Sequence, residues 1–150
     1  MKTTFQLASE ELIPEILEMM ADFNAIDHYP FDKKTGRQNL EQFLTNNHLG
    51  RLWTIHVEGS VVGYIALTFG FSFEYKGRDA FIDEFFIKEG FRNRGIGRET
   101  MEFIEGQAVE LDVKAIHLEV EKHNEKGKRL YINQGYKSND RMLLSKRTDE

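Results

Sequence analysis

The chain has 150 residues, of which 40% are hydrophobic, and this length and composition suit one domain over residues 1–150. Its formal charge of −5 argues against binding to nucleic acid. It contains no cysteine, so disulfides, thiolate metal sites and a cysteinyl reaction intermediate are excluded. No apolar run reaches the roughly 18 residues that span a membrane, and "MKTTFQLASEEL" lacks the apolar core of a signal peptide, so we expect a cytoplasmic protein.

The first half of the chain predicts a strand, two helices and three antiparallel strands. "TTFQLA" alternates as a strand does, and apolar residues then recur at helical spacing from Ile13 to Phe23. Pro30 and Gly36 interrupt the next segment, after which a second, shorter helix is predicted around residues 40–44. The runs "RLWTIHV", "VVGYIALTF" and "DAFIDEFFI" have strand composition, and "EGS" predicts a hairpin between the first two.

The second half predicts a helix, a strand, a helix and a strand. From Gly97 onward the apolar residues fall on one helical face. "AIHLEVE" alternates as a strand, Asn124 is placed as the N-cap of a further helix, and Gly135 is placed just after its end. "RMLLSK" is predicted to form a final strand. The order of elements indicates an α/β protein with a mixed sheet.

The sequence "RNRGIG", residues 92–97, stands between a strong strand and the best-defined helix. The first N–H groups of a helix have no partner within it, and together with the helix dipole they favour an anion, above all a phosphate. Glycine lets the backbone approach such a ligand closely. A P-loop is excluded because Ile96 and Gly97 follow Gly95, and a dinucleotide fingerprint is excluded by Thr100. A tight turn with solvated arginines is the structural alternative.

The pattern Arg-x-x-Gly-x-Gly, following a strand that ends in "FFI", resembles the GNAT superfamily of acyl-CoA-dependent N-acyltransferases. The resemblance covers residues 3–146 in element order and is densest from Phe81 to Tyr136. It implies a central, mostly antiparallel, twisted sheet flanked by about four helices. It also implies that the turn binds the coenzyme A pyrophosphate through Arg92, Asn93, Arg94, Gly95, Ile96, Gly97 and Arg98, and that Phe85, Phe86 and Ile87 hydrogen-bond the pantetheine arm.

A second signature of the family lies in "NEKGKRLYINQGY". An Asn that closes a strand, a Tyr seven residues later and a Gly-aromatic pair are matched here by Asn124, Tyr131, Gly135 and Tyr136. The resemblance implies a cofactor contact for Asn124 and a catalytic role for Tyr131. A phenol with a pKa of about 10 is well matched to protonate a departing thiolate, although Tyr131 packed as helix core is the alternative. Gly127 departs from the family pattern, and a glycine within a helix costs about 1 kcal/mol relative to alanine.

Acetylation of an amine also needs a group that accepts the amine proton, since an alkyl amine with a pKa near 10.4 is protonated at neutral pH. Strict alternation along "FIDEFF" places Phe81, Asp83 and Phe85 on one face of the strand and Ile82, Glu84 and Phe86 on the other. A carboxylate buried among aromatic rings would have a raised pKa, which suits a general base. "IDEFFI" also looks like the strand of diamine and polyamine acetyltransferases, in which the residue at the Asp83 position is the base. We therefore predict Asp83 as the base and Glu84 as the second choice, and a solvent-facing or ion-paired residue is the alternative.

The resemblance implies acetyl-CoA as co-substrate and a homodimer. Without cysteine, we expect direct attack by the amine within a ternary complex. No metal is expected, because the five histidines show no ligand spacing. A non-catalytic acetyl-CoA-binding module and transfer of a longer acyl group are the competing hypotheses.

The amine acceptor is expected to be a small molecule bound by residues 22–32 and 69–79. Aromatic residues in these segments, together with five carboxylates, would suit a cation. A polyamine, an amino acid, an aminoglycoside and a protein N-terminus all stay open. The five carboxylates are Asp22, Asp27, Asp32, Glu74 and Asp79.

Overall fold

The computed structural model describes residues 2–150. The chain divides into two compact units, one extending to Glu119 and one from Val120 to Glu150, and each is described by itself. The prediction of one domain over residues 1–150 stays a prediction.

The first unit is built on a five-stranded mixed sheet whose spatial order follows the chain, β1-β2-β3-β4-β5. The first four strands are antiparallel neighbours, and β5 runs parallel to β4. Glu58 and Gly59 form the two-residue turn between β2 and β3, both with positive φ (50° and 82°), which confirms the predicted hairpin. The strands are β1 (Thr3–Leu7), β2 (Gly50–Val57), β3 (Ser60–Ser72), β4 (Gly77–Ile87) and β5 (Ala115–His117).

Helices cover both faces of this sheet. On one face, buried residues of α1 (Ile13–Ile26) and α2 (Lys33–Leu44) pack in one cluster with Tyr64 of β3 and Phe86 of β4. On the other, Ile96 of α3 (Ile96–Glu110) packs with residues of β2 and β3. Because α1 and α3 bury apolar residues at the predicted helical spacing, the sequence periodicity is confirmed there.

The second helix begins earlier than predicted. Asp32 caps α2, since its carboxylate accepts a hydrogen bond from the Thr35 backbone N–H at 3.0 Å. Gly36 therefore lies in the first turn of α2 and is no break. A Cβ at this position would approach the Phe31 ring to 2.7 Å, so the glycine permits the packing of the turn before the helix.

Two strand predictions are wrong near the end of the chain. β5 ends at His117 instead of continuing through "LEVE", and residues 141–146 form no strand. Met142 and Leu144 of "RMLLSK" are each 82% exposed. A strand requires a hydrogen-bonded neighbour, and apolar composition alone does not supply one.

The second unit contains one helix, α4 (Glu125–Asn133). Across residues 2–150, no helix has the length and apolar character required to cross a membrane. The same residues contain no cluster of three or more His, Cys, Asp or Glu arranged to hold a metal ion.

Candidate active site

The turn before α3 has the backbone geometry of an anion site. Gly95 is the N-cap of α3 and adopts a left-handed conformation with φ of 84°, and Asn93 does so with φ of 63°. Gly95 has no side chain with which to cap the helix. The first-turn N–H groups, beginning at Ile96, therefore depend on an external acceptor.

Three exposed arginines add positive charge around this turn. Arg92 donates from Nε to the carbonyl oxygen of Ile87 at 2.7 Å, and its guanidinium lies 5.5 Å from the centre of the Phe86 ring. Arg94 lies over the Phe91 ring at 5.3 Å. Arg98 forms an exposed ion pair of 3.5 Å with Glu102, which contributes little to stability. The charge around the turn favours a polyanionic ligand.

The outer edge of β4 is largely open. β5 pairs with β4 only from Asp79 to Phe81, so residues 82–87 have a strand neighbour on the β3 side alone within the part of the chain that the structure describes. Unpaired N–H and C=O groups on such an edge can bind an extended ligand that carries amides. The open edge ends with β4 at Ile87, and residues 88–95 connect it to α3.

The side chains of the predicted pantetheine contacts belong to the core. Phe85 and Ile87 pack against the cluster that contains Ile96, whereas Phe86 is buried on the α1 side. Ile96 itself is 1% exposed. Contacts of these four residues with a cofactor would therefore be made by their backbone groups.

A β-bulge at Asp83 breaks the alternation assumed from the sequence. Leu67 of β3 pairs with Ile82, but the preceding residue, Ala66, pairs with Glu84. Asp83 is therefore the extra residue on β4, and Ile82 and Glu84 lie on opposite faces of the sheet. The prediction that Ile82 shares a face with Glu84 and Phe86 is wrong, because a bulge shifts the register by one residue. For the same reason Phe81, which pairs with Thr68, does not share a face with Phe85, which pairs with Ile65.

The two neighbouring carboxylates have different surroundings. Asp83 is exposed, yet partial burial of its carboxyl raises the pKa above the ordinary value. Glu84 is half-buried and accepts a hydrogen bond from the Tyr64 hydroxyl at 2.7 Å. Burial raises the pKa of Glu84, while the hydrogen bond from Tyr64 acts in the opposite direction. Bulges commonly redirect side chains beside active sites.

Tyr64 is the residue of this arrangement that sequence reasoning missed. It is fully buried within the apolar run "VVGYIALTF". A hydroxyl in such a run requires a partner, and a carboxylate on the next strand of the meander was the available one. That requirement is the signal that could have linked Tyr64 to Glu84.

Asn124 and Gly127 form the N-terminal cap of α4. The Asn124 side-chain oxygen accepts a hydrogen bond from the Gly127 N–H at 2.9 Å. The helix N-cap prediction is thus confirmed, but Asn124 closes no strand, because β5 ends at His117. A Cβ on residue 127 would lie 2.5 Å from the Asn124 side-chain nitrogen, so glycine permits the cap where the family pattern has a larger residue.

Tyr131 lies on α4 and is half-buried. Burial raises the pKa of its phenol above the ordinary value. Its carbonyl oxygen accepts a hydrogen bond from the Tyr136 N–H at 3.0 Å, and the two rings lie 6.1 Å apart edge to face. Gly135, with φ of 94°, ends the helix as predicted.

The proposed acceptor segments contain both structural and exposed groups. Asp32 is engaged in capping α2, and Asp79 pairs with His117 at 3.0 Å. The rings of Tyr75 and Phe81 lie 5.2 and 5.1 Å from the His117 ring. Three aromatic side chains in these segments are more than half exposed, namely Tyr29 (56%), Phe71 (70%) and Phe73 (91%).

Residues 15–136 match the family model described as Acetyltransferase (GNAT) family. The chain belongs to this family. It is an acetyltransferase, and the mixed sheet with four helices is the GNAT fold. A relative from Lactobacillus delbrueckii subsp. lactis, named an uncharacterized N-acetyltransferase in the pepI 3′ region, is 27% identical over 141 residues, which cover 85% of this chain and 80% of that protein.

Solved structures show the same fold. An integron cassette protein from the mobile metagenome of Cole Harbour Salt Marsh has a TM-score of 0.86 to this acetyltransferase at 27% identity, covering 96% of this chain and 90% of the other. A predicted acetyltransferase from Clostridium acetobutylicum, solved with acetyl-CoA, has a TM-score of 0.81 at 17% identity and covers 99% of both chains. At the lower identity, the likeness concerns the fold alone.

Proposed function

We propose that this acetyltransferase moves the acetyl group of acetyl-CoA directly to a primary amine of a small cationic molecule. The observation that carries the proposal is the left-handed Gly95 turn at the start of α3, beside a β4 edge left open beyond Phe81. An extended, amide-containing ligand that ends in a pyrophosphate fits both features. Acetyl-CoA has these parts and supplies the activated acetyl thioester.

Arg92, Asn93, Arg94 and Arg98 surround the pyrophosphate in this proposal, while Gly95, Ile96 and Gly97 supply backbone N–H groups. The β4 backbone at Phe85, Phe86 and Ile87 faces the pantetheine amides. Asn124 is a further cofactor contact through the part of its side chain not used in capping, since its oxygen already accepts the Gly127 N–H.

Asp83 is the proposed general base. Its exposed side chain is accessible to an incoming amine, and its raised pKa increases its basicity. The amine nitrogen attacks the thioester carbonyl carbon, a C–N bond forms and the C–S bond breaks. The proton lost by nitrogen goes to Asp83, directly or through water.

Tyr131 is the proposed general acid. Its hydroxyl gives a proton to the departing coenzyme A thiolate, and the raised pKa of Tyr131 keeps the phenol protonated at neutral pH. The resulting tyrosinate recovers a proton from solvent. Because the chain contains no cysteine, the acetyl group passes in one step and not through an acetyl-thiol enzyme.

A diamine or polyamine is the proposed acceptor class. The net charge of −5 favours a cation, and Glu84 beside Asp83 offers a second negative charge for an ammonium group. The exposed rings of Tyr29, Phe71 and Phe73 add surfaces for cation–π contacts.

We also infer a cytoplasmic homodimer from the family resemblance. Sedimentation at micromolar concentration tests the dimer, and a monomer would contradict it.

The activity test measures thiol release from acetyl-CoA with a panel of amines. The panel contains a diamine, a polyamine, a monoamine of equal chain length, an amino acid, an aminoglycoside and a peptide with a free N-terminus. We expect kcat/KM for the diamine or polyamine to exceed that for the monoamine by about tenfold or more, equivalent to about 1.4 kcal/mol of transition-state binding. Equal rates with the monoamine, or faster acetylation of the peptide, would contradict the proposed acceptor class.

A further inference from the structure

A fully buried tyrosine supports one of the two carboxylates at the bulge. Tyr64 is 0% exposed, and its hydroxyl donates to Oε1 of Glu84 at 2.7 Å. The Tyr64 ring packs between the rings of Phe23 of α1 and Phe86 of β4, whose centres lie 6.5 and 6.1 Å from its own. A phenol packed in this way has one orientation, so it fixes the position of the carboxylate it binds.

Glu84 has acceptor capacity that the protein does not use. An ionised carboxylate can accept about four hydrogen bonds, and within residues 2–150 Tyr64 is the only side-chain donor to Glu84, which forms no ion pair. A half-buried carboxylate without a cation is costly to ionise. A ligand ammonium would supply the missing partner.

The titratable groups beside Glu84 come from β3 and β4. β3 contributes Tyr64, and β4 contributes Asp83, whose charge opposes ionisation of Glu84. The guanidinium of Arg92 lies over the ring of Phe86. α1 contributes the uncharged ring of Phe23 to the same cluster.

We propose that Tyr64 is a positioning residue for the acceptor site, which holds Glu84 ionised and oriented to bind the ammonium form of the amine. The inference rests on the proposed function, because it needs an amine acceptor at the bulge. Glu84 binds the cation and Asp83 takes the proton, so the two adjacent carboxylates have separate roles. Tyr64 acts on the amine only through Glu84.

Two substitutions separate the hydrogen bond from the charge. Tyr64→Phe removes the hydroxyl and leaves the Glu84 carboxylate without its donor, so burial raises its pKa unopposed. Glu84→Gln keeps an oxygen that can accept from Tyr64 but removes the negative charge. Both variants should weaken amine binding, and neither should change the site for acetyl-CoA.

The test measures KM for the amine and for acetyl-CoA across pH in the wild type and both variants. We expect Tyr64→Phe to raise KM for the amine about tenfold, the scale of a hydrogen bond to a charged group, and to leave KM for acetyl-CoA unchanged. In Tyr64→Phe, the acid limb of kcat/KM for the amine should move to higher pH, because Glu84 without its hydrogen-bond donor loses its proton only at higher pH. Glu84→Gln should raise the amine KM further, and adding Tyr64→Phe to it should have little additional effect.

A tyrosine that only packs in the core would give a different result. Tyr64→Phe would then lower the melting temperature, while the amine KM and the acid limb would stay at their wild-type values, and that outcome overturns the inference. If Tyr64→Phe does not fold, 3-fluorotyrosine at position 64, a stronger donor of nearly equal size, should move the acid limb to lower pH. No movement of the limb in that protein would also overturn it.

Failure of the inference is distinguishable from failure of the proposed function. A wild-type protein that releases no thiol with any amine contradicts the proposed function itself. A wild-type protein that acetylates amines, with kinetics unaffected by the change at Tyr64, removes only the positioning role.

Discussion

Asp83 and Glu84 are neighbours in the chain, but their environments separate their roles. Asp83 is exposed at the bulge, whereas Glu84 is half-buried and bound by Tyr64. The sequence predicted both carboxylates as candidates from their position in an apolar strand. It could not predict the separation, because a bulge depends on how two strands pair and leaves no signal in one strand alone.

Asp83→Asn should abolish most activity without harming the fold. We expect kcat/KM for the amine to fall by roughly 10²- to 10⁴-fold, the usual contribution of a general base, and the acid limb due to Asp83 to vanish. Because the folded pKa of Asp83 is raised, its contribution to stability is present below the unfolded pKa and is lost as pH rises through the folded pKa. The melting temperature at neutral pH should therefore not decrease.

The matched control for this change is Asp112→Asn. Asp112 is exposed, pairs with Lys114, and has a pKa lowered by that hydrogen bond. The Asp112→Asn protein should keep wild-type activity. A wild-type rate in Asp83→Asn would assign the proton transfer to another group.

Tyr131→Phe tests the general acid. We expect kcat to fall by roughly 10²- to 10⁴-fold, while calorimetric binding of acetyl-CoA stays unchanged, since only protonation of the leaving thiolate is lost. Because burial raises the pKa of Tyr131, any alkaline limb that it causes should lie above the ordinary range of a phenol, and this limb should be missing in the variant. Unchanged kcat in a folded Tyr131→Phe protein would leave the tyrosine a structural role.

At the scale of elements, the sequence predicted best where local periodicity and packing agree. α1 buries Ile13, Ile16 and Leu17 and α3 buries Met101, Ile104 and Ala108, as expected from their spacing, and the β2–β3 turn follows from Glu58–Gly59. The start of α2 was missed because the Asp32 cap outweighs the glycine at position 36. The short β5 was missed because pairing with β4 stops at Phe81, and a strand's partner cannot be inferred from its own alternation.

Helix propensity alone predicts that alanine at position 127 stabilises α4, but the geometry of the Asn124 cap opposes that gain. Gly127→Ala should leave the melting temperature about unchanged, because the added Cβ would lie 2.5 Å from the Asn124 side chain and disturb a cap worth about 1 kcal/mol, which offsets the gain in helix propensity. Gly106→Ala in α3 is the control, since its Cβ meets no atom within 4 Å, and there alanine should stabilise by about 1 kcal/mol. Thermal unfolding of both variants measures the difference. An equal gain in both proteins would mean that Gly127 serves no purpose in the cap.

At the scale of the whole molecule, family membership depends on the order of elements and on the turn that precedes α3. The turn and the order of elements as far as α4 were predicted from the sequence, and the "RNRGIG" pattern and the hydrophobic strand before it lie within 25 residues of chain from Phe81 to Glu105. The open β4 edge is a property of the sheet and needed the strand pairing to be known. The identity of the acceptor amine could not be predicted in the same way, because it depends on surface loops whose sequence the fold does not determine.

The most direct test of the account is calorimetric titration of acetyl-CoA into the wild type and into Gly95→Val. We expect saturable micromolar binding to the wild type and its loss in Gly95→Val, because a β-branched residue is strained at φ of 84°. The control is Gly90→Val, an exposed position where an added Cβ meets no atom within 4 Å, and it should bind as the wild type does. Absence of heat with the wild type up to about 1 mM acetyl-CoA, where binding is worth only about 4 kcal/mol, would contradict the proposed cofactor site.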